Sequence, residues 1–170
     1  RSGNRHPSAG GLPALVRDSG RGQVTDQVHV VTAFLRHAGA VLVLRRGERV
    51  GSYRGRWAAV SGYLEEPDPL VRALREVEEE TGIDQSRLHL VKAGTPLVVD
   101  DAALQRQWVV HPFLFELAGQ PPIRLDWEHT ACRWVPPAAL LELPTVPRLT
   151  EALRACWPEA FAGTAEDRAE

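Results

Sequence analysis

The sequence contains no methionine, only two cysteines and a single lysine, Lys92, among its 20 basic residues. The missing methionine is read as a chain that starts after its initiator. Cys132 and Cys156 fit no metal-binding or redox spacing. That argues against a disulfide framework and for a reducing, cytoplasmic setting. The dominance of arginine is read as a GC-rich genome, not as function. No run of 18 apolar residues is present, so no bilayer-spanning helix is expected, and the first residues hold no apolar signal-peptide core. A basic excess is also lacking. The net charge of −2 argues against a nucleic-acid or membrane partner held by bulk charge.

What remains is ordinary for a folded domain: 170 residues, 44% apolar and 25% charged, enough for one compact unit with a core. Residues 1–24 are rich in Gly, Ser, Arg and Pro and lack periodicity, which reads as a flexible N-terminal arm. A domain is expected over 25–157 and a tail over 158–170. "VHVVTAFLR" and "AVLVLRR" form a hairpin of buried strands in pattern, and "WAAVSGYL" a short strand entering a glycine turn. "LHLVKAGTPLVV" and "QWVVHPFLFEL" read as two further strands, with "PIRL" and "CRWV" as shorter ones. "PPAALLEL" and "VPRLTEALRACW" read as C-terminal helices. Strands on both sides of a central helix, then a helical end, indicate an α/β (α+β) sandwich.

The strongest helix signal is "PDPLVRALREVEEETG". Asp68 suits the N-cap, Pro69 the first helical position and Gly82 the position past the end. Four glutamates crowd its last turns. At about 100° per residue, Glu76, Glu79 and Glu80 share one face beside an apolar stripe of Leu70, Ala73, Leu74, Val77 and Thr81. Glu78 falls nearly opposite. Carboxylates in a last turn oppose the helix dipole at a cost of about 0.3–1 kcal/mol each, and like charges one turn apart repel. Arg72 and Arg75, each four residues before a glutamate, offset part of that. The cluster is either a solvated acidic patch or a site where divalent cations reverse the sign of the problem. Mg²⁺ takes oxygen ligands and bridges carboxylates to substrate phosphates.

"SGYLEEPDPLVRALREVEEETGI", residues 61–83, resembles the signature box of the Nudix hydrolases, G-x5-E-x7-R-E-U-x-E-E-x-G-U. Arg75, Glu76, Val77, Glu79, Glu80, Gly82 and Ile83 fit its second half position for position. The likeness covers roughly residues 27–142, and its flanks, "GRW" and "RWVPPAAL", resemble a prokaryotic subgroup. The first half is one residue short: Gly62 and Arg75 have 12 residues between them where the family has 13. Counting forward puts the early acid at Asp68 and counting back puts it at Pro67, with Glu66 a substitute.

The resemblance implies a Nudix-like α/β/α sandwich with a mixed β-sheet. It also implies a hydrolase that cleaves the pyrophosphate bond of a nucleoside diphosphate linked to another moiety, with Mg²⁺ or Mn²⁺. It assigns Glu76, Glu79 and Glu80 as metal ligands, with the backbone carbonyl of Gly62 as a further one, and Arg75 as the residue orienting a glutamate. A homodimer is one arrangement it implies.

The general base is not fixed by the box. Glu128 in "LDWEHTACRW" ranks first outside it, followed by Asp100 and Asp101; Glu79 or Glu80 could also activate water. His129 reads as a surface histidine and His111 as a hydrogen-bonded core residue. The arginine-rich loop before the box offers Arg46, Arg54 and Arg56 as phosphate grips, beside Arg45 and Arg49. Tyr53, Trp57 and Trp108 could stack a base, although strand tryptophans are commonly core. A Nudix-type domain that binds a nucleotide-like ligand without turnover is the alternative; the intact acid trio favours the enzyme.

Overall fold

A computed structural model describes residues 26–163 of the chain. The arm expected over residues 1–24 lies outside the described residues, as does 164–170. The chain opens with β1 (Asp26–His37) and β2 (Ala40–Arg46). Ala38 and Gly39 join them with φ of 49° and 77°, the two left-handed residues of a tight hairpin turn that suits twisted strands. The pair stays together only at Arg36–Val41 and His37–Ala40. β2 then takes β3 (Trp57–Ala58) and β8 (His129–Val135) as antiparallel partners. β1 takes β4 (Val60–Tyr63) antiparallel on one edge and β7 (Arg106–Leu117) parallel on the other. Beyond β7 lie β5 (Leu88–Ala93) and β6 (Leu97–Asp101), each antiparallel to it. The eight strands make one mixed sheet.

The central strands are apolar at nearly every position because both sheet faces are covered. One face carries α1 (Pro69–Thr81): Val31, Leu35, Leu42 and Phe115 pack with its Ala73 and Val77. The other carries α2 (Leu149–Cys156), where Phe34, Val43 and Leu114 meet Leu149 and Leu153. This is the expected α/β/α sandwich. Among the described residues no helix is long and apolar enough to cross a membrane.

Several local expectations change. "LHLVKAGTPLVV" is two strands, because the chain breaks at Gly94, whose N–H donates to Pro112 O at 2.9 Å. "WAAVSGYL" divides into β3 and β4, so Gly62 sits in a strand opposite Val31 and not in a turn. "PIRL" is no strand. Pro121 and Pro122 lack ladder donors, while Ile123 and Leu125 pack against the α1-side core and Arg124 N–H donates to Thr81 O at 2.9 Å. "PPAALLEL" forms a 3-10 turn over Pro137–Leu141. Pro158–Phe161, placed in the tail by the sequence, is also a 3-10 turn, and Phe161 is buried in the α2-side core.

Gly94, just past β5, lies hard against the backbone of α2. A Cβ there would lie 2.8 Å from the carbonyl oxygen of Ala155 and 2.9 Å from its carbon, and backbone yields less readily than side chain. Gly94→Ala is expected to destabilise the fold by about 1–3 kcal/mol, lowering Tm by several degrees. Gly119→Ala, with nothing within 4 Å of its added carbon, is expected to be neutral. Thermal denaturation of the two variants checks both.

Candidate functional site

The site begins with how α1 is held. Asp68 Oδ1 accepts from Leu70 N–H at 2.9 Å, and Gly82, at φ 74°, closes the helix by donating to Glu78 O. Ala73, Val77 and Thr81 are buried, with Leu70 and Leu74 half-buried against the same core. The stripe fixes the rotation of the helix, and the rotation fixes the depth of each acid. Glu80, nearest the stripe, is 2% exposed and accepts from Ser61 N–H at 3.1 Å. Glu76 is half-buried, and Glu79 stays exposed at the cleft wall. Glu78 points elsewhere and accepts from the Gln85 amide at 3.3 Å.

Gly62 is explained by what it faces. A Cβ on it would fall 2.2 Å from Glu76 Cδ and Oε1. Glycine is required there because the carboxylate presses against the strand, and no turn is involved.

A second group of acids arrives from the segment before β8. Glu128 O accepts from Gly47 N–H at 2.7 Å, which anchors that segment to the end of β2. Asp126 Oδ1 lies 2.9 Å from His129 Nδ1 and accepts from Glu128 N–H at 3.3 Å. Glu80, Asp126, Glu128 and His129 each offer a ligand atom, and these atoms lie within 4.8 Å of one another. His129 is 6% exposed, so the surface position expected for it is corrected. Asp126 was missed; its signal was an acid two residues before Glu128 in "DWEH".

Burial, aided by the neighbouring charges, raises the proton affinity of Glu76, Glu80 and Glu128. Burial pushes Glu76 up to about 7, helped by the charge of Glu79 and opposed by its hydrogen bond to Arg72. Glu80 is pushed well above the usual carboxylate range, by burial first and then by Glu76, Asp126 and Glu128. Glu128 is raised by burial and by Asp126. Such carboxylates are held together at a cost that a cation would remove.

The arginine that steadies Glu76 is Arg72, while Arg75, expected to orient a glutamate, bonds Glu66. Arg72 is 8% exposed and donates to Glu76 Oε1 at 3.0 Å, to both oxygens of Glu66 at 2.6 and 2.7 Å, and to Glu65 at 2.8 Å. Arg75 reaches only Glu66, at 2.8 Å. A residue at i+4 lies one turn along the same face, which Arg72 meets for Glu76 and Arg75 does not. Glu66 thus receives both arginines, with its carboxyl held low chiefly by Arg72, while Asp68 caps the helix.

A cleft of about 500 Å³ opens beside the acids. It brings in Arg46, Tyr53 and Trp108 from the sequence-derived set, and adds Arg148, which the sequence reading passed over. Tyr53 donates to Asp101, and its pKa rises to about 12 through burial and that bond. Asp101 is therefore engaged, held low, and outside the acid group. Three residues proposed for substrate contact lie outside the cleft. Arg54 turns back to Val50 O at 2.9 Å and Arg56 to Thr145 O at 3.1 Å. Trp57 is 6% exposed in the α2-side core beneath the Arg133 guanidinium, so neither face of its ring is open to a base. His111 is hydrogen-bonded as expected, pairing with His29 at 2.9 Å, but is half-buried and not part of the core.

The family model for the NUDIX domain matches residues 25–156. No curated protein matches the sequence significantly. Among solved structures, a MutT protein from Methanosarcina mazei Go1 superposes with a TM-score of 0.64 at 21% identity, covering 78% of this chain and 94% of that one. A MutT NUDIX hydrolase from Burkholderia pseudomallei gives 0.59 at 25% identity, over 76% and 98%. The E. coli dihydroneopterin triphosphate pyrophosphohydrolase gives 0.63 at 20% identity, over 78% and 96%. With an acid-bearing helix ended by Gly82, a strand glycine pressed by Glu76 and the family model spanning the sheet and both helices, this chain belongs to the NUDIX domain family of pyrophosphate-bond hydrolases.

Proposed function

We propose that the protein is a Mg²⁺- or Mn²⁺-dependent hydrolase of nucleoside diphosphates linked to another moiety, acting in the cytoplasm. The single observation that carries this is the gathering of ligand atoms from Glu80, Asp126, Glu128 and His129 within 4.8 Å of one another, beside a cleft lined by Glu76 and Glu79. The donor set is all oxygen apart from His129, which fits a hard divalent cation. Glu76, Glu79 and Glu80 would hold it, with Asp126 from the β8 side and the Gly62 carbonyl beside Glu76. The cation's contribution is to shield the phosphates, lower the pKa of bound water and neutralise the leaving oxygen.

The chain's own residues supply the rest. Arg72 fixes Glu76 through a charge-assisted hydrogen bond, so the carboxylate does not have to reorganise as charge moves. Glu128, with raised proton affinity and a place in the cleft wall, is the base that takes a proton from water. Arg46 donates to Ser52 O at 2.9 Å through Nε, which leaves guanidinium donors for a phosphate oxygen. Turnover of ADP-ribose, nucleoside triphosphates, dinucleoside polyphosphates and nucleotide sugars, with either metal and with excess chelator, tests the reading. Undiminished hydrolysis in chelator would refute the metal's part.

Glu79→Gln is expected to lower kcat by two or more orders of magnitude, whereas Glu78→Gln, on the far side of α1, should stay within two-fold of wild type, both by the usual scale of a removed charged group. Steady-state kinetics on the best substrate of the panel decide this, and equal losses would sink the face assignment. Stability should show the same set. Glu76 titrates near 7 when folded and near its ordinary value when unfolded. Between the two values the folded state holds the extra proton, so rising pH favours unfolding. Cation binding takes the deprotonated form. The rise in Tm on adding Mg²⁺ is therefore expected to be larger at pH 8 than at pH 5, as read by calorimetric scans at both.

A further inference from the structure

Among the described residues, two aromatics stand out as exposed: Trp127 at 68% and Tyr63 at 55%. Both line the cleft. Trp127 lies between Asp126 and Glu128, and Tyr63 follows Gly62. A tryptophan left in water beside an acid group forgoes a large burial gain, so its position calls for a partner that arrives with the ligand.

The sheet sets where that partner lies. On the α2 face, Tyr63 pairs across to Val30, Val30 to Val110, and Val110 to Leu97, while Trp108 pairs with Val99. These make an apolar floor running from β4 through β1 and β7 to β6, roughly 14 Å over three strand spacings. Leu149 and Ala152 of α2 face it across the cleft. The acids reach β4 from the opposite, α1 face, where Glu76 abuts Gly62 and Glu80 accepts from Ser61 N–H, and one cleft is lined both by that strand's acids and by the floor. Trp127 precedes β8, which joins the sheet through β2, on the side of β1 away from β7. In strand order the acids therefore stand between the apolar floor and Trp127.

Resting on the hydrolase reading for where the diphosphate sits, we propose that the cleft takes a dinucleotide-class substrate, with a planar heteroaromatic ring at each end of its phosphate chain. One ring lies over the floor of Val30, Val110 and Leu97, and the other stacks on Trp127. Base–aromatic stacking tolerates any base because each has a π-face, so Trp127 selects for a second ring and not for its identity. Arg46 lines the cleft with guanidinium donors to spare, and Arg148, which donates to Val98 O and pairs with Glu151, lines its β6 end.

The test is binding under conditions without turnover, with Ca²⁺ in place of Mg²⁺. Calorimetry would compare diadenosine triphosphate and NAD⁺, which carry two rings, with ADP-ribose, which carries one. Wild type is expected to bind the two-ring probes more tightly. Trp127→Ala should weaken them by at least about five-fold and leave ADP-ribose within two-fold, and Trp127→Phe should restore most of the loss. The side chain is solvent-exposed, so neither variant threatens the core. Equal weakening of ADP-ribose, an unchanged two-ring affinity, or no binding of the two-ring probes would each overturn the inference. Tight two-ring binding with no hydrolysis in Mg²⁺ would leave it standing and sink the proposed reaction instead.

Discussion

The burial of Glu80 is the constraint around which the site is arranged. A carboxylate removed almost wholly from water, beside three other acids, costs several kcal/mol if it stays charged and unpaired. One backbone N–H, from Ser61, faces it. Its pKa is raised accordingly. The depth of Glu80 follows from its angle on α1, next to the stripe of Ala73, Val77 and Thr81. Any helix that buries that stripe must also bury this acid.

The neighbouring features are accommodations to that depth. Gly62 lacks a side chain so that Glu76 can lie against β4. Arg72 spreads its fork over Glu65, Glu66 and Glu76, which keeps one carboxylate of the set paired while Glu79, Asp126 and Glu128 line the cleft. His129, with 1% of its side chain exposed, sits against Asp126. The anchored segment before β8 then closes the group from the side opposite the helix.

Much of this was legible in the chain. The caps of α1, its buried stripe and the separation of Glu78 from the other acids follow from helical geometry alone, and the structure places them so. The β1–β2 hairpin and the two-sided burial of the sheet follow from continuous apolar runs. What was hidden depended on tertiary contact. Arg72 and Arg75 are equally spaced from their glutamates, and only the position of Glu66 shows that Arg72 holds Glu76. Asp126 and His129 look like turn residues until the Gly47 contact brings them to Glu80. Trp57, Arg54 and Arg56 share a loop-and-strand segment with Arg46, yet one side chain enters the core and two turn back to the backbone. Gly94 carries no sequence mark of the helix end pressed against it.

The parallel pairing of β1 with β7 has a kinetic side. Its register runs from Asp26–Arg106 to Arg36–Glu116, so every pair joins residues 80 positions apart. Loop closure over that distance precedes any reward from the contacts, and non-local pairing of this kind slows folding. The floor of the cleft is cut from these two strands. During synthesis the acid helix emerges and can form before β7 leaves the ribosome, so a chain stalled between the two would carry its acids beside only the β4 and β1 part of the floor.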